Sequence, residues 1–285
     1  MQRIKGIKMD EELYLRIKKY MRMESGIYAY SLINALRKFS VSPEPNYYMG
    51  LYFLEYGRIY RWVHGRYYEG KVSFRRARRY LRTAYRYQPQ NAEIIFALGE
   101  SYYRDAKVTK PASHYRKEKL EKALDFYRRA FTLDVKNGKF IWCVMEVEYL
   151  LGMFNQIEAL FNSYAWEELA DQEIAFWAKI LLMYLIARQG DSKRLKEMLR
   201  AISIPNEIED MDVAAICIVQ LFAMADDYEE MKRVYTQYKR YLSYIASPCK
   251  DYFTDNVSPS FPDKGIKQAI ISWFSPVGLV SHDKW

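Results

Sequence analysis

An all-α fold of antiparallel helix pairs is predicted by three features of the sequence. Its 285 residues contain only 12 Gly and 9 Pro, too few to turn the many short strands of a sandwich or barrel. Residues 72–88 place Phe74, Ala77, Leu81, Ala84 and Gln88 on one side of a helix, with charged residues opposite. The third feature is recurrence. Gly65 and Tyr68 return 34 residues later as Gly99 and Tyr102 with the same internal spacing, and a period of roughly 20–50 residues marks stacked repeats. Half of the residues are hydrophobic and 28% are charged, a balance that supports a buried core over most of the length.

Taken in order, residues 9–22 and 27–39 read as a first helix pair broken at Gly26. The clearest repeats follow over residues 58–137. Ala77-x3-Leu81-x2-Ala84-x4-Pro89 is echoed by Ala123-x3-Tyr127-x2-Ala130-x4-Val135, and Gly99 sits in Ile95-x2-Leu98-Gly99-x2-Tyr102. The two alanine blocks are 46 residues apart, 12 more than the 34-residue period, so an insertion is expected between Tyr102 and Ala123. Small residues at these places let two helices approach closely while Leu81 and Tyr127 fill the gaps beside them. Three further pairs are expected: 139–151 with 153–163, 167–188 with 192–202, and 208–225 with 228–245. Gly152, Gly190-Asp191, Pro205 and Asp226-Asp227 supply the breaks. Residues 1–246 thus read as one helical repeat domain. Residues 247–285 read as a loop-rich tail whose stretch 266–274 forms a short capping helix.

Over residues 58–137 the sequence resembles the tetratricopeptide repeat family, whose pattern is an aromatic, Leu-Gly and Tyr on one helix, then Ala, an aromatic, Ala and Pro on the next. It departs at His64 in place of Leu, Ile95 in place of Trp and Val135 in place of Pro. The resemblance implies a right-handed superhelical solenoid whose first helices line a concave peptide groove. Carried over by the 34- and 46-residue offsets, the groove positions are Trp62, Phe96 and Trp142, then Arg66, Glu100 and Glu146, then Tyr103 and Tyr149 beside Glu69. Large aromatics at one repeat position suit the anchoring of a protein partner. The family's co-chaperones grip a C-terminal carboxylate with Lys, Asn and Arg; these positions hold other residues, so a clamp of that kind is not expected.

The charge has a direction. The formal net charge is +9, yet residues 1–140 hold 30 Lys+Arg against 14 Asp+Glu, leaving 14 against 21 for the remainder. Arg75, Arg79, Arg82 and Arg86 form a stripe opposite the apolar side of their helix, and Lys107, Lys110, Arg116, Lys117 and Lys119 make the expected 103–119 insertion basic. A solvated face is the plain reading of such a stripe; an anionic contact is the functional one.

No Gly-rich phosphate loop, nucleophile elbow or metalloprotease helix is present. Cys143, Cys217 and Cys249, like His64, His114 and His282, are scattered away from ligand spacing. No enzymatic activity, cofactor or metal is therefore expected. The first 35 residues are charged and lack the apolar stretch of a secretory signal. The longest apolar run, Val213 to Ala225, is shorter than the roughly 18 residues of a membrane span. A cytoplasmic protein is expected. The leading expectation is a scaffold or adaptor that binds protein within a larger complex, with self-association as a further outcome of its polarity. The alternatives are a nucleic-acid-binding helical repeat and a component held on the anionic cytoplasmic face of a membrane-associated secretion or motility apparatus.

Overall fold

The computed structural model describes Tyr30, Asn34 and residues 44–62, 66–110, 113–169, 171–205 and 211–242, leaving aside the side chains of 60–62, 167, 212 and 239–242. The expected pair 9–22 and 27–39 apart from Tyr30 and Asn34, Gly65, Cys249 and the 247–285 tail with its capping helix lie outside these residues. Among the described residues the elements are helical: α1 (Glu44–Trp62), α2 (Tyr67–Tyr87), α3 (Ala92–Lys107), α4 (His114–Leu133), α5 (Gly138–Leu151), α6 (Phe154–Asn162), a 3₁₀ turn (Trp166–Glu168), α7 (Gln172–Gln189), α8 (Ser192–Ala201), α9 (Met211–Met224) and α10 (Tyr228–Leu242). The chain parts into two compact units between Leu151 and Gly152.

In the first unit each helix packs on the next, α1 on α2, α3 on α4, with α4 also meeting α5. The two hairpins repeat the same contacts. A Cβ built at Gly50 would stand 2.4 Å from Cγ of Leu81, and one at Gly99 would stand 2.6 Å from the Tyr127 ring. A methyl group at either place requires its neighbour to shift. Phe53 stacks on Tyr80 at 5.6 Å and 3° between planes; Tyr102 stacks on Phe126 at 5.7 Å and 14°. Met49, Phe53 and Leu54 of α1 are buried as are Leu98, Tyr102 and Tyr103 of α3, an offset of 49 residues. The counterpart of Leu98-Gly99-x2-Tyr102 is therefore Met49-Gly50-x2-Phe53.

This corrects the register read from the sequence. Tyr68 opens α2 and is 75% exposed, so it does not share the core position of Tyr102. The 12-residue excess is not confined to the second hairpin. Gly50 stands 27 residues before Ala77 and Gly99 stands 24 before Ala123, so both hairpins are long and the extra residues extend their helices.

In the second unit α7 is the central element. It is buried from Ile174 to Ile186 except at Lys179 and meets α6, α8 and α9, while α9 also packs on α10. The Asp171 side chain accepts from the amides of Glu173 and Ile174 at 3.1 and 3.2 Å, a helix N-cap. At the other end Gly190 adopts φ 79°, with Gly190 N–H donating to Ala187 and Asp191 N–H to Ile186, the paired bonds of a Schellman turn. Asp226 makes the same turn at φ 55°, and Gly152 is left-handed at φ 77°. Among the described residues no helix is long and apolar enough to cross a membrane.

Candidate functional site

Of the residues predicted to line a groove, Phe96, Glu100, Tyr103, Trp142 and Glu146 are buried. Phe96 on α3 is buried between Tyr127 and Phe140, with ring centroids 5.2 and 4.8 Å away, and the Lys139 ammonium stands 4.5 Å over its face. Glu100, four residues on, is 4% exposed; it accepts from Tyr127 Oη at 2.5 Å and from Arg104 Nε at 2.8 Å. Tyr103 donates to Glu146 of α5, and both are buried. Burial, followed by the nearby carboxylate, raises the Tyr103 and Tyr127 hydroxyls well above the ordinary tyrosine range. Both therefore act as donors that hold two buried carboxylates.

Trp142 is 4% exposed and its Nε1 has no hydrogen-bond acceptor among the described residues. Tyr149 is half-buried and Arg66 is exposed just ahead of α2. Trp62 closes α1, with its side chain outside the described set. In the register that the hairpin contacts define, the α1 places matching Phe96, Glu100 and Tyr103 hold Tyr47, Leu51 and Leu54.

The basic residues divide into two groups. Arg78 turns inward: it donates to Asp105 and to the Ser101 carbonyl at 3.3 Å, and its guanidinium lies 4.5 Å over the Tyr102 ring. Lys119 donates to the same Asp105 at 2.8 Å and to Thr109 at 2.9 Å. Lys107 stands 4.8 Å over Tyr103. Arg78 and Lys119, both part-buried, thus meet on the buried Asp105 carboxylate, and of the three only Arg78 reaches across from the first hairpin. Lys110 and Lys117 are exposed and Arg116 is half-buried; Lys117 has Glu121 at 3.9 Å.

The stripe on α2 remains outward. Arg75, Arg79, Arg82 and Arg86 are all exposed, and with Tyr68 they fall within a sector of about 60° over about 27 Å of helix. Arg82 is fixed by a 2.5 Å bond from its Nη2 to Tyr102 Oη. None of Arg75, Arg79 and Arg86 has an acidic side chain in contact among the described residues. The neighbouring helix α4 is built differently: Lys117 faces Glu121, and Lys122 donates to Glu118. Like charges at i,i+3 and i,i+4 cost about 0.2–0.5 kcal/mol per pair, so Arg75/Arg79, Arg79/Arg82 and Arg82/Arg86 sum to about 1 kcal/mol. The α2 face retains this repulsion where α4 neutralises it.

Other reactive groups are sequestered. Cys143 and Cys217 are buried thiols outside any disulfide, and burial pushes the Cys217 thiol up to about 12. No family model matches the chain, and a search of curated proteins finds no match to it.

Proposed function

We propose that the chain is a non-enzymatic helical-repeat scaffold, of the kind that the tetratricopeptide resemblance implies, and that it takes an anionic macromolecular partner on the outer face of α2. The observation that carries this reading is the row of exposed arginines, three of which have no carboxylate in contact among the described residues, on a helix tied to α3 by Arg78 and Arg82. A peptide groove centred on Phe96 and Trp142 has less support, because both side chains are buried. A right-handed superhelical stack, a cytoplasmic location and independence of cofactor and metal belong to the same reading.

The test is recovery of the partner from the native cell, identified by mass spectrometry, with the wild-type chain and with Arg75→Glu/Arg79→Glu/Arg86→Glu. The triple variant should keep its helical circular dichroism and lose the partner. Recovery of the same partner by both proteins overturns the proposal.

A further inference from the structure

Resting on that reading, we infer that the occupant of the α2 face is a single-stranded polynucleotide, with its phosphates on Arg75, Arg79, Arg82 and Arg86 and a base stacked on Tyr68. Three observations separate this occupant from other polyanions. The first is the choice of cation. Six of the seven basic residues of α2 are Arg, whose planar guanidinium meets phosphate oxygens in pairs and also stacks on base rings.

The second is the aromatic exposure. Tyr68 is 75% exposed in line with the four arginines, and Tyr67 and Tyr87 at the two ends of the helix are 61% and 63% exposed. A cationic track set with open aromatic rings is what single-stranded nucleic acid requires, because every unpaired base offers a π face. Duplex bases, stacked on one another, offer none to these rings. The third concerns membranes. The exposed large hydrophobic side chains of α2 are all tyrosines, and the helix presents no Leu, Ile, Phe or Trp for insertion among acyl chains. An acidic protein is the competing occupant, since Tyr and Arg also anchor protein interfaces, and the poly-glutamate probe distinguishes it.

Arg82 gives the track a fixed point. Its bond to Tyr102 Oη ties one cation to the stacked Tyr102–Phe126 pair, so the side chain is held in place before any ligand arrives. Arg75, Arg79 and Arg86 remain free to adjust to the backbone of the strand.

Fluorescence anisotropy of the full chain tests the inference with labelled oligo(U) RNA and oligo(T) DNA of about 12 nucleotides, within the usual site sizes. The comparison probes are a duplex of the same length, poly-glutamate, and phosphatidylcholine vesicles containing phosphatidylserine. Single strands should bind, with log K falling against log salt at a slope of about −3 for four phosphate contacts. Arg79→Gln should reduce that slope by about 0.7. Tyr68→Ala should weaken binding about tenfold while Tyr68→Phe stays within about twofold of wild type. Equal affinity for duplex or poly-glutamate, or indifference to Tyr68→Ala, reduces the face to general electrostatics and overturns the inference while leaving the scaffold reading intact. Binding to the vesicles without binding to either oligonucleotide assigns the face to a membrane and also overturns it. Undiminished partner recovery by the triple Arg→Glu variant sinks the scaffold reading instead.

Discussion

Arg78 of α2 donates to Asp105 of α3, a carboxylate that is 1% exposed in its side chain and is held from the opposite side by Lys119 of α4 at 2.8 Å. One acidic side chain thereby joins the first hairpin to both helices of the second. Removing one member of a buried ionic cluster costs about 3–5 kcal/mol, because the remaining charges lose their compensation. Asp105→Ala should lower the urea midpoint by a corresponding amount. Arg78→Met combined with Asp105→Ala should lose less than the sum of the two single changes, since the pair acts as a unit.

The glycines at the helix crossings should differ in their tolerance of a methyl group. At Gly99 the added Cβ meets the Tyr127 ring at 2.6 Å and the Ala123 carbonyl at 3.3 Å; at Gly50 the nearest atoms, from 2.4 Å, belong to the Leu81 side chain. Backbone cannot move aside as a leucine rotamer can. Gly99→Ala should cost about 1–3 kcal/mol by overpacking, and Gly50→Ala less, in denaturant titrations of each variant.

Charge reversal within the arginine row should strengthen the fold as it abolishes binding. Arg79→Glu converts repulsive neighbours at Arg75 and Arg82 into attractive ones, a gain of a few tenths to about 1 kcal/mol. Thermal unfolding at low salt should show a higher Tm than wild type, and the difference should shrink as salt screens the pairs. A lower Tm would mean that Arg79 has a packing role.

The pH dependence has a definite sign at Glu148. Burial raises its carboxyl above the ordinary glutamate range, while Arg128, whose Nη2 donates at 2.7 Å, pulls it back. Between the unfolded glutamate value and the raised folded one, the folded state keeps a proton that the unfolded chain has released. The stability from this group is full below the unfolded glutamate value of about 4.3 and is lost as pH rises through the raised folded value. Measured against Glu148→Gln, wild-type Tm should fall as pH rises from about 4 to 7.

Tyr103 and Tyr127 extend the same reasoning to alkali. Their hydroxyls are raised by burial and by Glu146 and Glu100, so the protonated folded state loses stability once pH passes the unfolded tyrosine value of about 10. Absorbance at the tyrosinate band should show these two rings ionising only with unfolding. In Tyr103→Phe/Tyr127→Phe the step that coincides with unfolding should be smaller by two tyrosines.

Helix ends were more legible than helix faces. Gly152, Gly190 and Asp226 mark breaks in the sequence, and all three adopt positive φ, a local requirement that one residue expresses by itself. The α5 to α10 boundaries accordingly fall near the expected ones, although α7 begins at Gln172 where residue 167 was expected. The register of α1 was hidden because Gly65-x2-Tyr68 imitates Gly99-x2-Tyr102 over a span too short to discriminate. The aromatic partners Phe53–Tyr80 and Tyr102–Phe126 carry the true correspondence. Recognising it required reading two helices together.

The site was legible on one face only. A polar stripe opposite an apolar one follows from helical periodicity, so Arg75, Arg79, Arg82 and Arg86 are exposed as that geometry dictates. Whether Phe96 and Trp142 are open or covered depends on the neighbours that pack over α3 and α5, which periodicity within a single helix does not encode. Asp105 was missed for a related reason: a lone carboxylate becomes distinctive only when Arg78 and Lys119 arrive from other helices.

The junction of α7 and α8 leaves no slack. Asp191 donates its amide to Ile186 to finish one helix and accepts the Arg194 amide at 3.1 Å to begin the next. One residue serves both ends. A single inserted amino acid here would turn α8 about 100° about its own axis, swinging the buried Leu195 and Leu199 toward water and their charged neighbours inward. The hairpin thus has the character of a keyed joint, in which chain length is as strictly specified as side-chain identity.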